Sequence, residues 1–274
     1  MKIKIPFYIL LFLSFAANAQ LINWQFAKHI GGSGSDGCAK ICNDKNGNTI
    51  FAGNSSSSSV TIDNLSFYNP APSYPSSIIL AKYDSTGNVM WAKNYPGSSG
   101  GYKAVNSVAL DSADNILITG TFSGGSLVID TITLLSKGYS DIFTAKFDPS
   151  GNVLWARNFG GWFYNYGMSI TADVHNDVLL AGYFYSDTLK MDTITILNPN
   201  MGCFGDVIVA KLNSATGNVI WAKRAGGYGK DIANCIKTDK WGNVYVADES
   251  QVSTPMNFDS INVSAAGVVG RGRA

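Results

Sequence analysis

Residues 141–159 read Asp141-Ile142-Phe143-Thr144-Ala145-Lys146-Phe147-Asp148-Pro149-Ser150-Gly151-Asn152-Val153-Leu154-Trp155-Ala156-Arg157-Asn158-Phe159. Two runs rich in aromatic and β-branched residues flank a Pro-Ser-Gly-Asn turn, which predicts two antiparallel strands. In the first run Ile142 lies on one side and Phe143, Ala145 and Phe147 on the other, so both faces are apolar and both must be covered. The second run recurs along the chain. Trp24-Gln25-Phe26-Ala27-Lys28, Trp91-Ala92-Lys93, Trp155-Ala156-Arg157 and Trp221-Ala222-Lys223 place tryptophans 67, 64 and 66 residues apart. A fixed period means one supersecondary unit stacked several times.

Working outward from residue 141, one unit contains further strands at Ala104–Asp111 and Ile116–Phe122, joined by a turn at Ser112–Asn115. A small hairpin over Ser126–Ser136 folds at Asp130-Thr131. The second strand recurs at 49–53, 178–182 and 244–248, the third at 78–82 and 207–211, and the small hairpin around Asp63, Asp192 and Asp259. No useful length beyond the N-terminal segment has helical periodicity. The expectation is an all-β chain, a β-propeller built of four-stranded antiparallel blades, with units of about 24–91, 92–155, 156–221 and 222–274. Trp24 to Lys28 reads as an isolated fourth strand able to complete the last blade and close the ring. The last unit reads as incomplete, with no third strand: residues 266–274 match nothing upstream. Two readings fit: a truncated product, which is the expectation, or a four-bladed ring with a damaged closing blade.

The first nineteen residues read as a signal peptide. Lys2 and Lys4 are followed by the apolar run Ile5–Phe15 and by Ala17-Asn18-Ala19, a small-x-small cleavage site. The run is too short for a transmembrane helix. The mature chain, residues 20–274, is therefore expected outside the cell or on its surface, with no membrane insertion after cleavage. Its formal net charge of +1 argues against a nucleic-acid partner, which selects a concentrated basic surface. Export permits disulfides among Cys38, Cys42, Cys203 and Cys235. Cys38 and Cys42 share a predicted strand about 13 Å apart and cannot bond there. A bond from either to Cys235 would join the first and last units.

The combination GNVLWARNFGG, a D-x-x-G-N turn, a strand ending in Ala-Gly and DIFTAKFD resembles the secreted bacterial β-propeller repeat. That resemblance covers residues 22 to about 263. It implies a propeller, associated in that family with seven blades, in an exported protein of Bacteroidetes type. It implies no shared catalytic set, and no C-terminal sorting domain is visible. The stretch Ala81–Trp91 is similar to the tryptophan-docking motif of quinoprotein propellers. This similarity implies that Trp91, Trp155 and Trp221 pack between neighbouring blades. The adjacent cysteines of quinone-dependent enzymes are missing, so no cofactor is expected.

Candidate chemistry is sparse. The Asp-x-x-Gly-Asn turns at 44–48, 84–88, 148–152 and 239–243 look like calcium loops, yet none continues to a bidentate Glu. The same residues make tight turns through local hydrogen bonds, and no metal site is expected. His29 and His175 are unlinked, and Glu249 is the chain's single glutamate, so neither a triad nor a glutamate pair is available. Trp162-Phe163-Tyr164-Asn165-Tyr166 breaks the repeat where the first unit has Ser33-Gly34-Ser35-Asp36. Loops carry function, and Trp162, Phe163, Tyr164 and Tyr166 are the candidate ligand-contact residues. The alternative is a loop packed over the end of the ring. Tyr183, Phe184 and Tyr185 are explained by a strand end. The functional expectation is a secreted, non-catalytic scaffold for a glycan or protein ligand. The alternatives are part of an exported polysaccharide-acting enzyme, or a cell-surface structural or adhesive module.

Overall fold

The computed structural model describes residues 25–70, 72, 77–97, 101–199 and 204–250, with the strands at 256–258, 261–263 and 269–273. Residues 1–19, read above as a signal peptide, and Trp24, Cys203 and Asp259 lie outside the described residues. A short strand β1 (Ile30–Gly31) comes first. The first unit holds β2 (Asp36–Asn43), β3 (Thr49–Ser55), the small hairpin β4 (Ser59–Ile62) and β5 (Leu65–Tyr68), then β6 (Ser77–Tyr83) and β7 (Val89–Pro96). The second repeats this order as β8 (Lys103–Leu110), β9 (Ile116–Phe122), β10 (Ser126–Ile129), β11 (Ile132–Leu135), β12 (Asp141–Phe147) and β13 (Val153–Phe159). The third has β14 (Asn165–Ala172), β15 (Val178–Phe184), β16 (Thr188–Met191), β17 (Ile194–Leu197), β18 (Asp206–Leu212) and β19 (Val219–Gly226). The fourth has β20 (Asp231–Thr238), β21 (Asn243–Ser250), β22 (Met256–Phe258), β23 (Ile261–Val263) and β24 (Val269–Arg273).

In the first three units the four long strands pair antiparallel in chain order: β2-β3-β6-β7, β8-β9-β12-β13 and β14-β15-β18-β19. The fourth sheet corrects the expectation of a missing third strand. β24 pairs with β21 from Asn243↔Arg273 to Ala247↔Val269, where a third strand belongs. The backbone ladder needs only N–H and C=O groups, so Val-Gly-Arg-Gly-Arg can fill it without the DIFTAKFD pattern. β1 also departs from expectation. It pairs with β4, and no described pairing joins it to the fourth sheet. It stands where a fourth strand preceding the first unit would stand, because β19 meets β22 in the same way. No closed ring is formed among the described residues.

The two-faced burial read from Asp141–Phe147 holds. Every residue of β9 and β12 is buried. Phe143, Ala145 and Phe147 enter a core shared with Ile50 and Leu80 of the first unit and Val105 of their own. Ile142 enters the next core, with Ile170, Leu180 and Ile208 of the third unit. A third core joins the third and fourth units through Leu179, Ala233 and Ile236. Successive sheets are thus stacked face to face. Their first strands lie side by side, β2 by β8, β8 by β14 and β14 by β20, while the fourth strands reach the next unit's hairpin. The stack curls. Burial pushes the Cys42 thiol up to about 11, against the pull of Lys237 in the fourth unit and of Lys40. Cys38, Cys42 and Cys235 are free thiols.

The Asp-x-x-Gly-Asn turns are closed by their own side chains. Asp148 Oδ1 accepts from the N–H of Ser150 and Asn152 at 2.9 and 2.8 Å, and Oδ2 from Asn152 Nδ2 at 2.8 Å. Asp44, Asp84, Asp111 and Asp239 repeat this arrangement. The fourth turn residue adopts positive φ, 84° at Gly151, a region cheap for glycine. In the Asp111 turn Asp114 takes that place at φ 59°.

These turns dock the tryptophans. Trp155 is 5% exposed; its indole Nε1 donates to Ser214 O of the next unit's turn at 3.1 Å. Trp91 Nε1 donates to Pro149 O at 3.3 Å, and a Cβ on Gly151 would lie 3.1 Å from its ring. The equivalent contact in the first copy is made by Phe26, whose ring lies 2.6 Å from where a Cβ of Gly87 would be. The motif is therefore in register as Phe26-Ala27-Lys28 with Trp91-Ala92-Lys93. Lys28 to Asp63 (3.0 Å), from the segment before β1, and Lys93 to Asp130 (2.7 Å), from β7, agree with that register, each reaching the next hairpin.

A buried ion pair recurs in each of the first three units. Lys82 Nζ lies 2.9 Å from Asp44 Oδ2, Lys146 Nζ 2.9 Å from Asp111 Oδ2 and Lys211 Nζ 2.8 Å from Asp173 Oδ2. Lys146 Nζ also donates to Ser214 O at 3.1 Å and Ser214 Oγ at 2.8 Å. One ammonium therefore ties its own unit's first turn to the next unit's second turn. Buried ions require such pairing.

Candidate functional site

The connections from β13 to β14 and from β15 to β16 lie at the end of the stack opposite the aspartate turns. Here the units differ. Trp162, Phe163 and Tyr164 are 78%, 37% and 38% exposed, and Tyr139, which precedes β12, is 54% exposed. Tyr139 packs edge-on against Trp162 at 6.4 Å and Phe163 at 5.4 Å and stacks on Tyr164 at 5.3 Å. Tyr164 stacks on Tyr166 at 6.4 Å, and Tyr166 on Tyr183 at 4.6 Å with an interplanar angle of 17°. That last contact follows from register, because Tyr166 and Tyr183 are cross-strand partners. Tyr185 meets Tyr183 edge-on at 5.9 Å.

The loop is held by its backbone. Tyr139 N donates to Trp162 O at 3.1 Å, Tyr185 N to Tyr164 O at 2.8 Å, and Phe163 N to Ser186 Oγ at 2.9 Å. Buried Asn165 donates through Nδ2 to Ser140 O at 2.8 Å and Phe163 O at 3.0 Å. A Cβ on Gly138 would lie 2.4 Å from Trp162 O, so only glycine permits this approach. Asp141 accepts from Asn158 Nδ2 at 2.7 Å and from Lys137 N, closing the loop that carries Tyr139. Burial raises the Asp141 carboxyl to about 6 against those hydrogen bonds. Burial, with neighbouring tyrosines, also pushes up the Tyr166 and Tyr183 hydroxyls.

The structure brings together all four candidate residues, Trp162, Phe163, Tyr164 and Tyr166. It divides their roles, since Tyr164 and Tyr166 cover each other's faces and Trp162 offers the open indole plane. Tyr139, Tyr183 and Tyr185 join them. A strand end does not account for Tyr183 and Tyr185 by itself: alternation along β15 leaves Phe184 in the core and puts both tyrosines on the other face. The signal available for Tyr183 was its position opposite Tyr166. His29 and His175 are exposed at separate places, and Glu249 is exposed on β21. Among the described residues no group of three or more His, Cys, Asp or Glu is placed to hold a metal ion. No helix among them is long and apolar enough to cross a membrane.

No family model matches the chain. It is 23% identical over 218 residues to an uncharacterised WD-repeat-containing protein of Acanthamoeba polyphaga mimivirus, covering 69% of this chain and 15% of that protein. It is 28% identical over 119 residues to the regulatory protein FlaEY of Caulobacter vibrioides, covering 43% of this chain and 12% of the relative. The chain thus spans under a sixth of the length of these curated relatives. A crystal structure of a protein of unknown function from Bacteroides caccae aligns with a TM-score of 0.35 and 15% identity over 71% of this chain and 54% of its own. A luciferin-regenerating enzyme aligns with a TM-score of 0.28 and 9% identity over 90% of this chain and 96% of its own. The WD-repeat match agrees with the repeated sheets: this is a repeat, β-rich chain built on antiparallel strands.

Proposed function

We propose that the chain is a secreted, non-catalytic binding scaffold of β-propeller repeats, of the secreted bacterial kind, that recognises its ligand at the loop end of the stack. One observation carries this reading: the pinned aromatic cluster headed by Trp162, which is 78% exposed where the repeat pattern breaks. A large exposed aromatic on a fixed loop is a recognition feature, because its apolar face is available without an ordering cost. The carboxylates of the opposite end accept from their own turn N–H groups and amides, so they serve the sheets. Export is inferred from the sequence of residues 1–19. The propeller reading draws on face-to-face sheets whose first strands share an inner line.

The test is retention of the purified protein on immobilised neutral polysaccharides and on proline-rich peptides. Trp162→Ala/Tyr164→Ala is expected to lose the retention shown by the parent. A double variant that keeps every interaction of the parent removes the proposal.

A further inference from the structure

Buried lysines in this chain share one kind of partner. Lys82, Lys146 and Lys211 are buried, and each Nζ has an aspartate oxygen at 2.8–2.9 Å. Lys103 departs from that rule. It is 0% exposed, and its Nζ has no hydrogen-bond partner among the described residues. Burial pulls its ammonium below the ordinary lysine range. A buried cation left unpaired is costly, and an anion beside it removes that cost.

The other units show what stands at this point of the fold. Lys103 opens β8, and the residues that open the other first strands are Asp36, Asn165 and Asp231. Each of the three secures the connection that precedes it. Asp36 accepts from Gly32 N at 2.7 Å and from the hydroxyls of Ser55 and Ser57. Asp231 accepts from Gly227 N at 3.0 Å and from Ser250 Oγ. Asn165 donates to Phe163 O and Ser140 O.

The second unit changes every member of that set. Register pairs Asp36 with Ser55 and Asp231 with Ser250, but Lys103 with Phe122. Gly124 stands where the first unit has Ser57. The preceding residues 97–102 read Gly-Ser-Ser-Gly-Gly-Tyr and include no acid. What approaches the ammonium there is a residue without a side chain, since a Cβ on Gly101 would lie 2.7 Å from Nζ. Two units thus hold a carboxylate at this strand position. The second holds a cation, and no carboxylate of its own reaches it.

We propose that Lys103 is the cation of a small-carboxylate site at the opening of β8, beside Gly101, where a bound anion of formate or acetate size takes the role that the Asp36 and Asp231 side chains play in the first and fourth units. The size follows from enclosure, because Lys103 and Phe122 are both fully buried. The class follows from the molecule itself, which pairs its other buried lysines with carboxylates. A carboxylate also accepts from an ammonium and from a second donor at once, and such charge-assisted bonds are the strong ones.

The experiment is thermal unfolding of the full chain in sodium formate, acetate or chloride at matched ionic strength. The parent should melt higher in formate and acetate than in chloride, by a margin that grows with the logarithm of carboxylate concentration once the site fills. Lys103→Met keeps an apolar stem without the charge and should abolish the margin. In calorimetric titration the same variant should bind acetate about tenfold more weakly or worse. If Lys103→Met does not fold, the ammonium resonance of Lys103 in the parent, identified by its loss in Lys103→Arg, is followed as acetate is added. A saturable shift supports the site, and a constant resonance overturns it. Equal melting of the parent in all three salts also overturns the proposal, as does an acetate effect that survives in Lys103→Met. Stabilisation by chloride equal to that by acetate overturns the carboxylate class.

Discussion

At the turn end, Asp44, Asp111 and Asp173 hold equivalent lysines, Lys82, Lys146 and Lys211, in three successive units, and Trp91 and Trp155 rest on the equivalent turn of the unit that follows. At the loop end, the positions after the glycine pairs are Ser33, Trp162 and Tyr228. The turn end repeats because every sheet must meet the next sheet in the same way. The loop end is released from that requirement, since its connections touch solvent, and there the residues differ. In a stacked repeat, recurrence marks contacts between units and divergence marks surface left over for recognition.

The comparison is broken most forcefully at the docked tryptophan. Trp155→Ala removes a buried ring and an indole hydrogen bond, and should cost about 3–5 kcal/mol in chemical denaturation. A loss below about 1 kcal/mol would mean that the turn end does not hold the second and third sheets together. Next in size is Lys146→Met, which leaves the Asp111 carboxylate buried without its cation and should cost about 3 kcal/mol. Adding Asp111→Asn should restore part of that loss, a coupling that a double-mutant cycle reads directly.

A smaller effect is expected at Gly151→Ala. The new methyl must adopt φ near 84° and sit 3.1 Å from the Trp91 ring, a penalty of about 1–2 kcal/mol. The smallest concerns pH. Burial alone would raise the Asp44 carboxyl, but hydrogen bonds from Lys82 and Asn48 outweigh it and hold the group at about 2. A carboxyl lower in the folded state stabilises above its ordinary value near about 4, and that contribution is lost as pH falls towards 2. The melting temperature should therefore fall through that window, and Asp44→Asn should flatten the slope there.

Much of the sheet architecture was legible because strand alternation and turn chemistry are local. Ile142 and Phe143 went to different cores, as their alternation required, and Asp130 turned its hairpin at φ 50°. The docking register was harder to read. Trp24 drew the eye, whereas Phe26 aligns with Trp91 once the lysine two residues later is used as the marker. The third strand of the last sheet was invisible because a backbone ladder can form without a matching side-chain pattern. At the site, four aromatics in one loop were conspicuous. Tyr139, Tyr183 and Tyr185 were not, because they reach the loop through cross-strand and cross-loop contacts that a linear reading does not display. The lysines of β6, β12 and β18 also carried an unused signal, an Ala-Lys step recurring in strands that are otherwise apolar.

The division between the two ends is tested most directly by measuring the unfolding free energy of Trp162→Ala beside that of Trp155→Ala. A change within about 0.5 kcal/mol for the exposed ring, against several for the docked one, is the predicted result. An equal loss for both would make the aromatic cluster a structural cover and contradict its role in recognition.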